Sequence, residues 1–475
     1  MAKGVATRAA VRSGAALMAL AIAGCSMAPA YHPPQTAAPA QFKEVAGWSQ
    51  AMPADGVDRG AWWTVYGDPV LNDLETRANA ASPTLAAALA RYDEARATAR
   101  EAAADLYPTV GINGNASRNR VSKYRPNSTG QAGEYNDYIA GGSISYELDL
   151  WGRVRNEVKA NEAAADASRA DLASARLSLQ ASLADAYFRL RGLDAEATLL
   201  AGSVDAFARA YDLTEKRHNG GIASGIDTNR ARTTLENARA LIAANANQRA
   251  ATEHELAALT GALASNFALA AATPDLTPPA VPVGSPSELL QRRPDIAAAE
   301  RRIFAANARI GVAKAAFFPS LSLGASGGWN TTGPAFLSAP SSFWSLGPLA
   351  SVLTLFDGGR RNAQVRISRA QYDEAAANYR DTVLTAFRQV EDAIAAIHHL
   401  ADETASQQAA AQAAQRTRDI AMARYRDGAS DYLEVVTAQT DALTAQRNLI
   451  SAQTDRMRAS IALVKAMGGP VGGPT

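Results

Sequence analysis

The sequence predicts an α+β membrane protein in which several copies of one chain close a β-barrel and continue it with a ring of long helices. Three observations predict this fold class. Residues 153–218 have the composition of one very long helix, residues 109–149 have the pattern of two membrane-type strands, and both patterns return in the second half of the chain. The mature chain has no run of ~20 apolar residues, the length that a transmembrane helix requires, so crossing a membrane requires strands.

The long-helix segment 153–218 contains no Pro and is dominated by strong helix formers. From Leu179 to Tyr211 its apolar residues alternate in steps of four and three, the heptad pattern of helices packed side by side. As one helix it would be ~100 Å long at 1.5 Å per residue, against the usual ~8–20 residues. Such a helix needs partner helices to bury its apolar seam.

The N-terminus has the pattern of an exported lipoprotein. Residues 1–24 combine a positively charged start with a short apolar run, which predicts a signal peptide. Cys25 is the only cysteine and follows directly, and the run that ends on it resembles a bacterial lipobox. That resemblance implies cleavage before Cys25, its acylation with lipid such as palmitate, and sorting to the outer membrane. An ordinary signal peptide with an incidental cysteine is the alternative.

The predicted strands alternate apolar and polar residues over ~10 positions each, as transmembrane β-strands do. They form a hairpin over 109–149 and a second, less regular hairpin over 320–355. A soluble two-sided hairpin is the alternative, and the export signal favours a membrane. Four aromatic residues lie in or beside strands, where a membrane barrel has its aromatic belt: Tyr146, Trp151, Trp329 and Trp344.

The chain is predicted to contain two copies of a helix–hairpin–long helix–helix unit. The predicted segments are a lipidated tether (25–60), repeat 1 (61–261, long helix 153–218, helix 226–260), a linker (262–285), repeat 2 (286–469, long helix 360–425, helix 432–467) and a flexible tail (470–475). Four strands per chain cannot close a barrel. Two chains would give eight strands, and three chains would give twelve with a wider lumen.

Five motifs span nearly the whole mature chain: 61–74, 146–153, 292–296, 311–320 and 355–360. With these motifs in this order, the chain resembles the TolC-like outer-membrane factors of tripartite efflux pumps, and in particular their lipoprotein branch. The resemblance implies a homotrimer with a twelve-stranded β-barrel, a long periplasmic α-helical barrel and a mixed equatorial belt.

The resemblance also implies a function. It is that of a passive outer-membrane exit duct for drugs or other toxic small molecules, with a periplasmic adaptor and an inner-membrane transporter of the resistance-nodulation-division (RND) type as partners. A type I protein-secretion duct of the same fold is the first alternative, and a lipid-anchored periplasmic coiled-coil scaffold without a pore is the second.

The resemblance places the periplasmic mouth at the two helix turns that end the long helices. Candidate residues of the aperture are Arg217, Asp227, Arg424, Asp427, Asp431 and Glu434, and Gly221 and Gly428 are candidate contacts for the adaptor. In a trimer each acid occurs three times, so a ring of acids would favour cations, and the arginines are expected to join neighbouring helices through salt bridges. Ordinary capping of helix ends is the alternative for each residue.

Other classes of function find little support in the sequence. A net charge of +1 gives no basic surface for nucleic acid. The five histidines form no recognisable metal-ligand motif, and no Gly-rich phosphate loop follows a strand. We therefore expect neither an enzyme nor a metal or other cofactor.

Overall fold

The computed structural model describes residues 26–33, 60–124, 132–279, 292–333 and 337–469. Within them, seven α-helices and four β-strands occur in the order α1-α2-β1-β2-α3-α4-α5-β3-β4-α6-α7. The predicted signal peptide and C-terminal tail lie outside the described residues. So do most of the predicted tether and the end of the predicted linker.

The helices of the two halves of the chain have matching lengths. They are α1 (Pro69–Ala81), α2 (Pro83–Ala104), α3 (Arg153–Asn219), α4 (Gly225–Leu259), α5 (Pro294–Ala315), α6 (Arg360–Arg426) and α7 (Tyr432–Ala466). Both α3 and α6 have 67 residues, both α4 and α7 have 35, and both α2 and α5 have 22. Among the described residues, every helix falls short of the length or the apolar character that crossing a membrane would require.

The chain divides into two compact units, and the first contains the sheet. This unit comprises Met1–Gln35, Arg91–Arg169 and Ala298–Tyr379. Its four strands are β1 (Thr109–Val121), β2 (Gly133–Leu148), β3 (Ser320–Thr331) and β4 (Ser342–Val352). They pair antiparallel in the order β1-β2-β3-β4, so that β2 of the first half of the chain lies beside β3 of the second half.

The register gives the sheet one apolar face. Val110 lies opposite Ile144, Tyr146 lies opposite Leu323, and residues directly opposite each other point to the same face. The other face carries mostly polar side chains, including Asn113, Asn115, Ser143, Ser145, Ser322 and Ser326. One apolar and one polar face are typical of a sheet between lipid and water.

The first hairpin is longer than its hydrophobic pattern predicts. The sequence predicts a polar loop from Arg118 to Asp137, whereas β1 continues to Val121 and β2 begins at Gly133. Arg118 pairs with Asn136 in the ladder and donates a hydrogen bond to Glu134 at 3.0 Å. Backbone hydrogen bonds continue through polar residues, so side-chain alternation does not mark the end of these strands.

Charged and aromatic contacts fix the junction where β2 leads into α3. Arg153 binds both carboxylate oxygens of Glu147, at 2.8 and 2.7 Å. Trp151 stacks on Phe318 with ring centroids 4.7 Å apart and donates its indole N–H to the Pro319 carbonyl at 2.8 Å. These contacts connect the junction of the first half of the chain to the end of α5 in the second half.

The second unit comprises Thr36–Ala90, Ala170–Ala297 and Arg380–Thr475, and it has an apolar core where α1 packs on α3 and α7. Trp62 donates its indole N–H to Gln180 at 3.0 Å, and Tyr187 donates its hydroxyl to Asp68 at 2.5 Å. Asp68 also accepts from the first backbone N–H groups of α1 and so acts as its N-cap. The start of α1 at Asp68 is therefore joined to α3.

A buried ion cluster on α3 holds the segment that follows α4. Asp194 accepts from Arg191 at 2.8 Å, from Arg249 at 2.7 Å and from the Ala272 backbone N–H at 3.1 Å. Arg191 also donates to the Ala270 carbonyl, and Arg249 donates to the Leu269 carbonyl. The start of the predicted linker is thus bound to the helices. Its backbone groups help to satisfy the buried charges, which would be costly without such partners.

Glu75 on α1 is a buried acid without a hydrogen-bond partner among the described residues. The side chain of Glu75 on α1 is fully buried, and neither of its carboxyl oxygens makes a hydrogen bond within the described residues. Burial raises the pKa of Glu75 to about 9, because an ionised carboxylate loses its hydration there. The folded protein therefore holds this carboxyl in its neutral form at pH 7.

We predict that Glu75 makes the protein less stable as pH rises. The pKa in the folded state lies above that in the unfolded state, so its contribution to stability is complete below pH ~4.5 and is lost as pH rises towards 9. The expected slope is about 1.4 kcal/mol per pH unit across this range. Thermal unfolding midpoints at pH 6, 7 and 8 should fall for the wild type and stay flat for Glu75→Gln. The exposed Glu94→Gln is the matched control, and equal slopes for all three proteins would refute the assignment.

Candidate functional site at the helix turns

The second unit brings the two predicted helix turns together. The first turn joins α3 to α4 (219–225), and the second joins α6 to α7 (426–432). A small apolar cluster lies between them, with Tyr425 and Tyr432 in edge-to-face contact at 5.4 Å between ring centroids. Burial, with Tyr425 and Asp227 as further causes, raises the pKa of Tyr432 to about 12, so its hydroxyl stays neutral.

Arg217 joins the end of α3 to the end of α6. Its guanidinium donates to the carbonyl oxygens of Tyr425 at 2.8 Å and Arg426 at 3.1 Å, and it lies 4.5 Å from the centre of the Tyr425 ring. The last carbonyls of a helix lack hydrogen-bond donors within the helix and carry partial negative charge. A guanidinium supplies the donors and its positive charge offsets the negative one. The sequence predicts a salt bridge for Arg217, whereas its contacts in the structure are with two carbonyls and a ring.

Arg424 spans the second turn. It donates to Glu434 in the first turn of α7 at 2.9 Å. About half of the Arg424 side chain (52%) and over a third of the Glu434 side chain (38%) are exposed. An exposed pair of this kind contributes only ~0–1 kcal/mol, so it can form and break readily.

The remaining acids differ in their roles. Asp227 and Asp431 accept hydrogen bonds from backbone N–H groups at the starts of α4 and α7, which makes both of them capping residues. Asp427 is exposed and makes no side-chain hydrogen bond or ion pair within the described residues. Of the predicted acids, Asp427 is therefore the one whose charge is unused by the local structure.

Gly221 and Gly428 end the long helices in the same way. Their φ angles are 72° and 76°, the left-handed region that favours glycine. The next backbone N–H closes each turn, with Ile222 bonded to Arg217 and Ala429 bonded to Arg424, both at 2.8 Å. This is the Schellman geometry of a helix C-terminus, and a Cβ added at either glycine would meet open space.

The four predicted belt aromatics lie towards the two ends of the sheet. Tyr146 and Trp151 lie near the end where strands meet helices, and both are half-buried. Trp329 lies opposite Ala140, and Trp344 lies opposite Gly327, both towards the far end. Trp344 is 83% exposed in the single chain. Tyr146, Trp329 and Trp344 share the apolar face.

Two further expectations concern the acylation of Cys25 and the absence of a metal site, and the described residues bear on them only in part. Cys25 lies outside them, so its acylation remains a prediction. In the part of the chain that the structure covers, no three His, Cys, Asp or Glu side chains are grouped as metal ligands would be.

Sequence reasoning missed the partners of both arginines. Arg217 and Arg424 hold equivalent places near the ends of α3 and α6. That equivalence is the one feature of the sequence that indicates a shared role for them. Their partners lie 208 and 10 residues away along the chain. No local periodicity connects residues at such separations.

A comparison with protein families gives a match over most of the chain. The sequence profile of the outer membrane efflux protein family matches residues 74–262 and 285–469. These two matched segments cover both halves of the chain, including every long helix and all four strands.

Curated relatives and a solved structure agree with this match. The chain is 34% identical to the antibiotic efflux pump outer membrane protein ArpC and to the toluene efflux pump outer membrane protein TtgC, both of Pseudomonas putida, with 96% of this chain and 94% of each relative covered. The structure of the outer-membrane channel OprN superposes with a TM-score of 0.86 and 30% identity. It covers 94% of this chain and 99% of the OprN chain.

Coverage of nearly the whole length by relatives above 30% identity extends the likeness to the sheet, both long helices and both turns. The predicted resemblance to outer-membrane factors, the function in efflux and the outer-membrane location are confirmed. The chain belongs to the outer membrane efflux protein family and is an outer-membrane exit duct for efflux.

Proposed function

We propose that three copies of this chain form the exit duct of a tripartite RND-type efflux pump. The main support for this proposal is the 34% identity to efflux-pump outer membrane proteins over 96% of the chain. A periplasmic adaptor and an inner-membrane RND transporter are the partners of this duct, and lipid of the outer membrane surrounds it.

The open edges of the sheet support assembly from several copies. Within the described residues, β1 pairs only with β2 and β4 pairs only with β3. Ile112 on β1 is 95% exposed in the single chain. In a trimer each free β4 edge pairs with the β1 edge of the next copy, which gives twelve strands and satisfies the backbone groups that lipid cannot. The apolar face then points to lipid, and the aromatic residues at both ends form its belts.

The proposed cargo is toxic small molecules. One relative is named for antibiotics and another for toluene, and both names denote small molecules. The duct passes them passively, and it has no catalytic role. No observation favours a protein-secretion duct or a scaffold without a pore over an efflux duct for small molecules.

We place the periplasmic mouth at the two helix turns. Arg217 and the Arg424–Glu434 pair hold the helix ends together, while Asp427 supplies a free negative charge in each copy. Asp227 and Asp431 shape the turns through capping and add charge to the same region. The exposed turns at Gly221 and Gly428 are the proposed contacts of the adaptor, because the space around each glycine is open.

Two further parts of the proposal concern the history and the anchoring of the chain. The matched lengths of three helix pairs support an internal duplication, with 61–261 and 286–469 as its two copies. Acylation of Cys25 anchors each copy to the outer membrane.

The trimer is tested by a cysteine pair across the open edges. Thr109 and Ser320 begin equivalent strands, and their partners Ser145 and Val352 are equivalent too. By the same correspondence Ile112 is equivalent to Leu323, and Tyr146 is equivalent to Leu353. Because Tyr146 pairs with Leu323 within the chain, we expect Leu353 to lie opposite Ile112 of the next copy. Opposed Cα atoms in an antiparallel ladder are ~4.5–5.5 Å apart, which suits a disulfide.

We expect Leu353→Cys with Ile112→Cys to give a covalent trimer on non-reducing gels, while either single variant stays uncross-linked. Leu353→Cys with Ala116→Cys is the control, because four residues displace the partner by ~13 Å. Planar-bilayer currents are measured on the same wild-type preparation. A heat-resistant trimer that conducts is expected, and a monomer without conductance would overturn the duct proposal.

Neutralising Asp427 should weaken cation selectivity. In a trimer Asp427→Asn removes three unpaired carboxylates from the mouth, and we expect the cation-to-anion permeability ratio to fall roughly two- to threefold. Reversal potentials across a salt gradient measure this ratio. Asp441→Asn, an equal charge change within α7, should leave the ratio unaltered. An unchanged ratio in Asp427→Asn would exclude Asp427 from the aperture.

Removing Arg217 should loosen the mouth. Arg217→Ala loses two charge-assisted hydrogen bonds to the end of α6, at a cost of about 2 kcal/mol. We expect larger and more variable single-channel currents, with Arg217→Lys intermediate because it keeps the charge but not the forked geometry. Arg176→Ala on the same helix is the control. Currents identical to the wild type would show that Arg217 does not restrain the mouth.

A further inference from the structure

A cleft opens between α3 and α6, towards the ends of both helices. It is lined by side chains from 202–213 of α3 and 418–426 of α6, and by Gln439 of α7, all within the second unit. Its volume is about 440 Å³, which lies within the ~300–1,000 Å³ typical of ligand pockets. We call it the α3–α6 cleft.

Small side chains on α3 leave this cleft open. Gly202, Ala206 and Ala210 follow one another in steps of four and therefore share one face of the helix. A Cβ added at Gly202 would meet no atom within 4 Å, so α3 is not packed against a neighbour there. Glycine in a helix interior weakens the helix relative to alanine. Gly202 therefore weakens α3 locally and leaves space that a larger side chain would fill.

The cleft is positively charged. Three arginines and one aspartate line it, which gives its wall a net charge of +2. Arg418 donates twice to Oδ1 of the adjacent Asp419, at 2.9 and 2.8 Å. The side chains of Arg209 and Arg426 make no hydrogen bond or ion pair with the residues that the structure describes. Two guanidinium groups, one on each long helix, are thus available to an anion.

A buried acceptor completes the lining. Gln439 is 2% exposed, and its side-chain oxygen has no hydrogen-bond partner among the described residues. Such an oxygen is costly to bury, because it has lost its bonds to water without gaining others. The combination of this oxygen with the arginines favours a ligand that brings both negative charge and a hydrogen-bond donor.

Hydrogen phosphate meets both conditions. Its anionic oxygens match the forked donors of guanidinium groups, and at neutral pH it keeps at least one O–H group. Sulfate has the same tetrahedral shape and a similar charge but has no O–H group at this pH. The Gln439 oxygen therefore distinguishes the two anions, because sulfate would place a second acceptor against it.

We propose that the α3–α6 cleft is a binding site for a small phosphate. Arg209 and Arg426 bind its anionic oxygens, and Gln439 accepts a hydrogen bond from its donor. The occupant is free inorganic phosphate or a small phosphate ester whose alcohol supplies the donor. The bound ligand connects α3 with α6 near their ends, and its binding does not depend on the cargo of the duct.

The site is tested by calorimetric titration of the full-length protein in detergent at pH 7. Inorganic phosphate and sulfate are compared at equal ionic strength, and we expect phosphate to bind roughly tenfold more tightly. Gln439→Met keeps the length of the side chain but removes the amide acceptor, so the preference for phosphate should disappear. Equal affinities for the two anions in the wild type, or no binding of either, would overturn the proposal.

Two pairs of variants locate the bound anion. Gly202→Leu fills the cleft and should abolish phosphate binding, whereas Gly202→Ala should retain it. Both changes introduce a better helix former, so a loss confined to the leucine variant does not arise from a weaker helix. Arg426→Gln should weaken the binding of both anions roughly tenfold, and Arg416→Gln, an equal charge change on α6 outside the cleft, should match the wild type. Phosphate binding that survives Gly202→Leu would show that the anion binds elsewhere.

Glycerol 3-phosphate distinguishes the two possible occupants. At pH 7 a phosphate ester has largely lost its O–H group, because its second pKa is ~6, and its alcohol hydroxyls are then the donors. Tighter binding of glycerol 3-phosphate than of inorganic phosphate supports the site with an ester as its occupant, and the reverse order supports it with free phosphate. Failure of both ligands to bind would refute the site and leave the proposed trimer and its conductance, which are measured separately, unaffected.

Discussion

The unpaired edges of the four-stranded sheet are the constraint on which the rest of the structure depends. A strand edge in lipid leaves N–H and C=O groups without water, at a cost that no single chain of four strands can avoid. In the proposed trimer, pairing between copies removes both edges at once. The same proposed assembly gives neighbours to α3 and α6, whose apolar seams need them along their length. A ring of strands and a ring of helices would then enclose a passage for efflux.

The end of the long helices shows how structural and functional roles divide among similar residues. Asp227 and Asp431 are held by backbone N–H groups, so their first role is to start α4 and α7. Asp427 has no such role within the described residues, so its charge is free to act in the proposed aperture. Arg217 uses the carbonyls that end α6, so it joins two helices without needing an acid. A cluster of acids near a turn therefore contains both caps and candidates for the pore.

Much of the fold could be predicted because its signals are local and repeated. The helix-forming composition and the heptad steps within it place the long helix at 153–218, and the structure has Arg153–Asn219. Alternation located the strands but not their ends, since β1 and β2 continue through polar residues. The burial of Glu75 and the bond between Arg217 and the end of α6 escaped prediction. Each depends on residues distant in sequence.

The matched lengths of the helices limit how this chain can change over time. Arg217 connects the last turn of α3 to the last turn of α6, and both helices have 67 residues. One heptad added to α3 alone would carry its turn ~10 Å beyond that of α6 and break this contact. Insertions and deletions in the duct wall are therefore tolerable only when both long helices and both returning helices acquire them together. Relatives whose helices are longer or shorter should differ from this chain by whole heptads in both long helices and both returning helices.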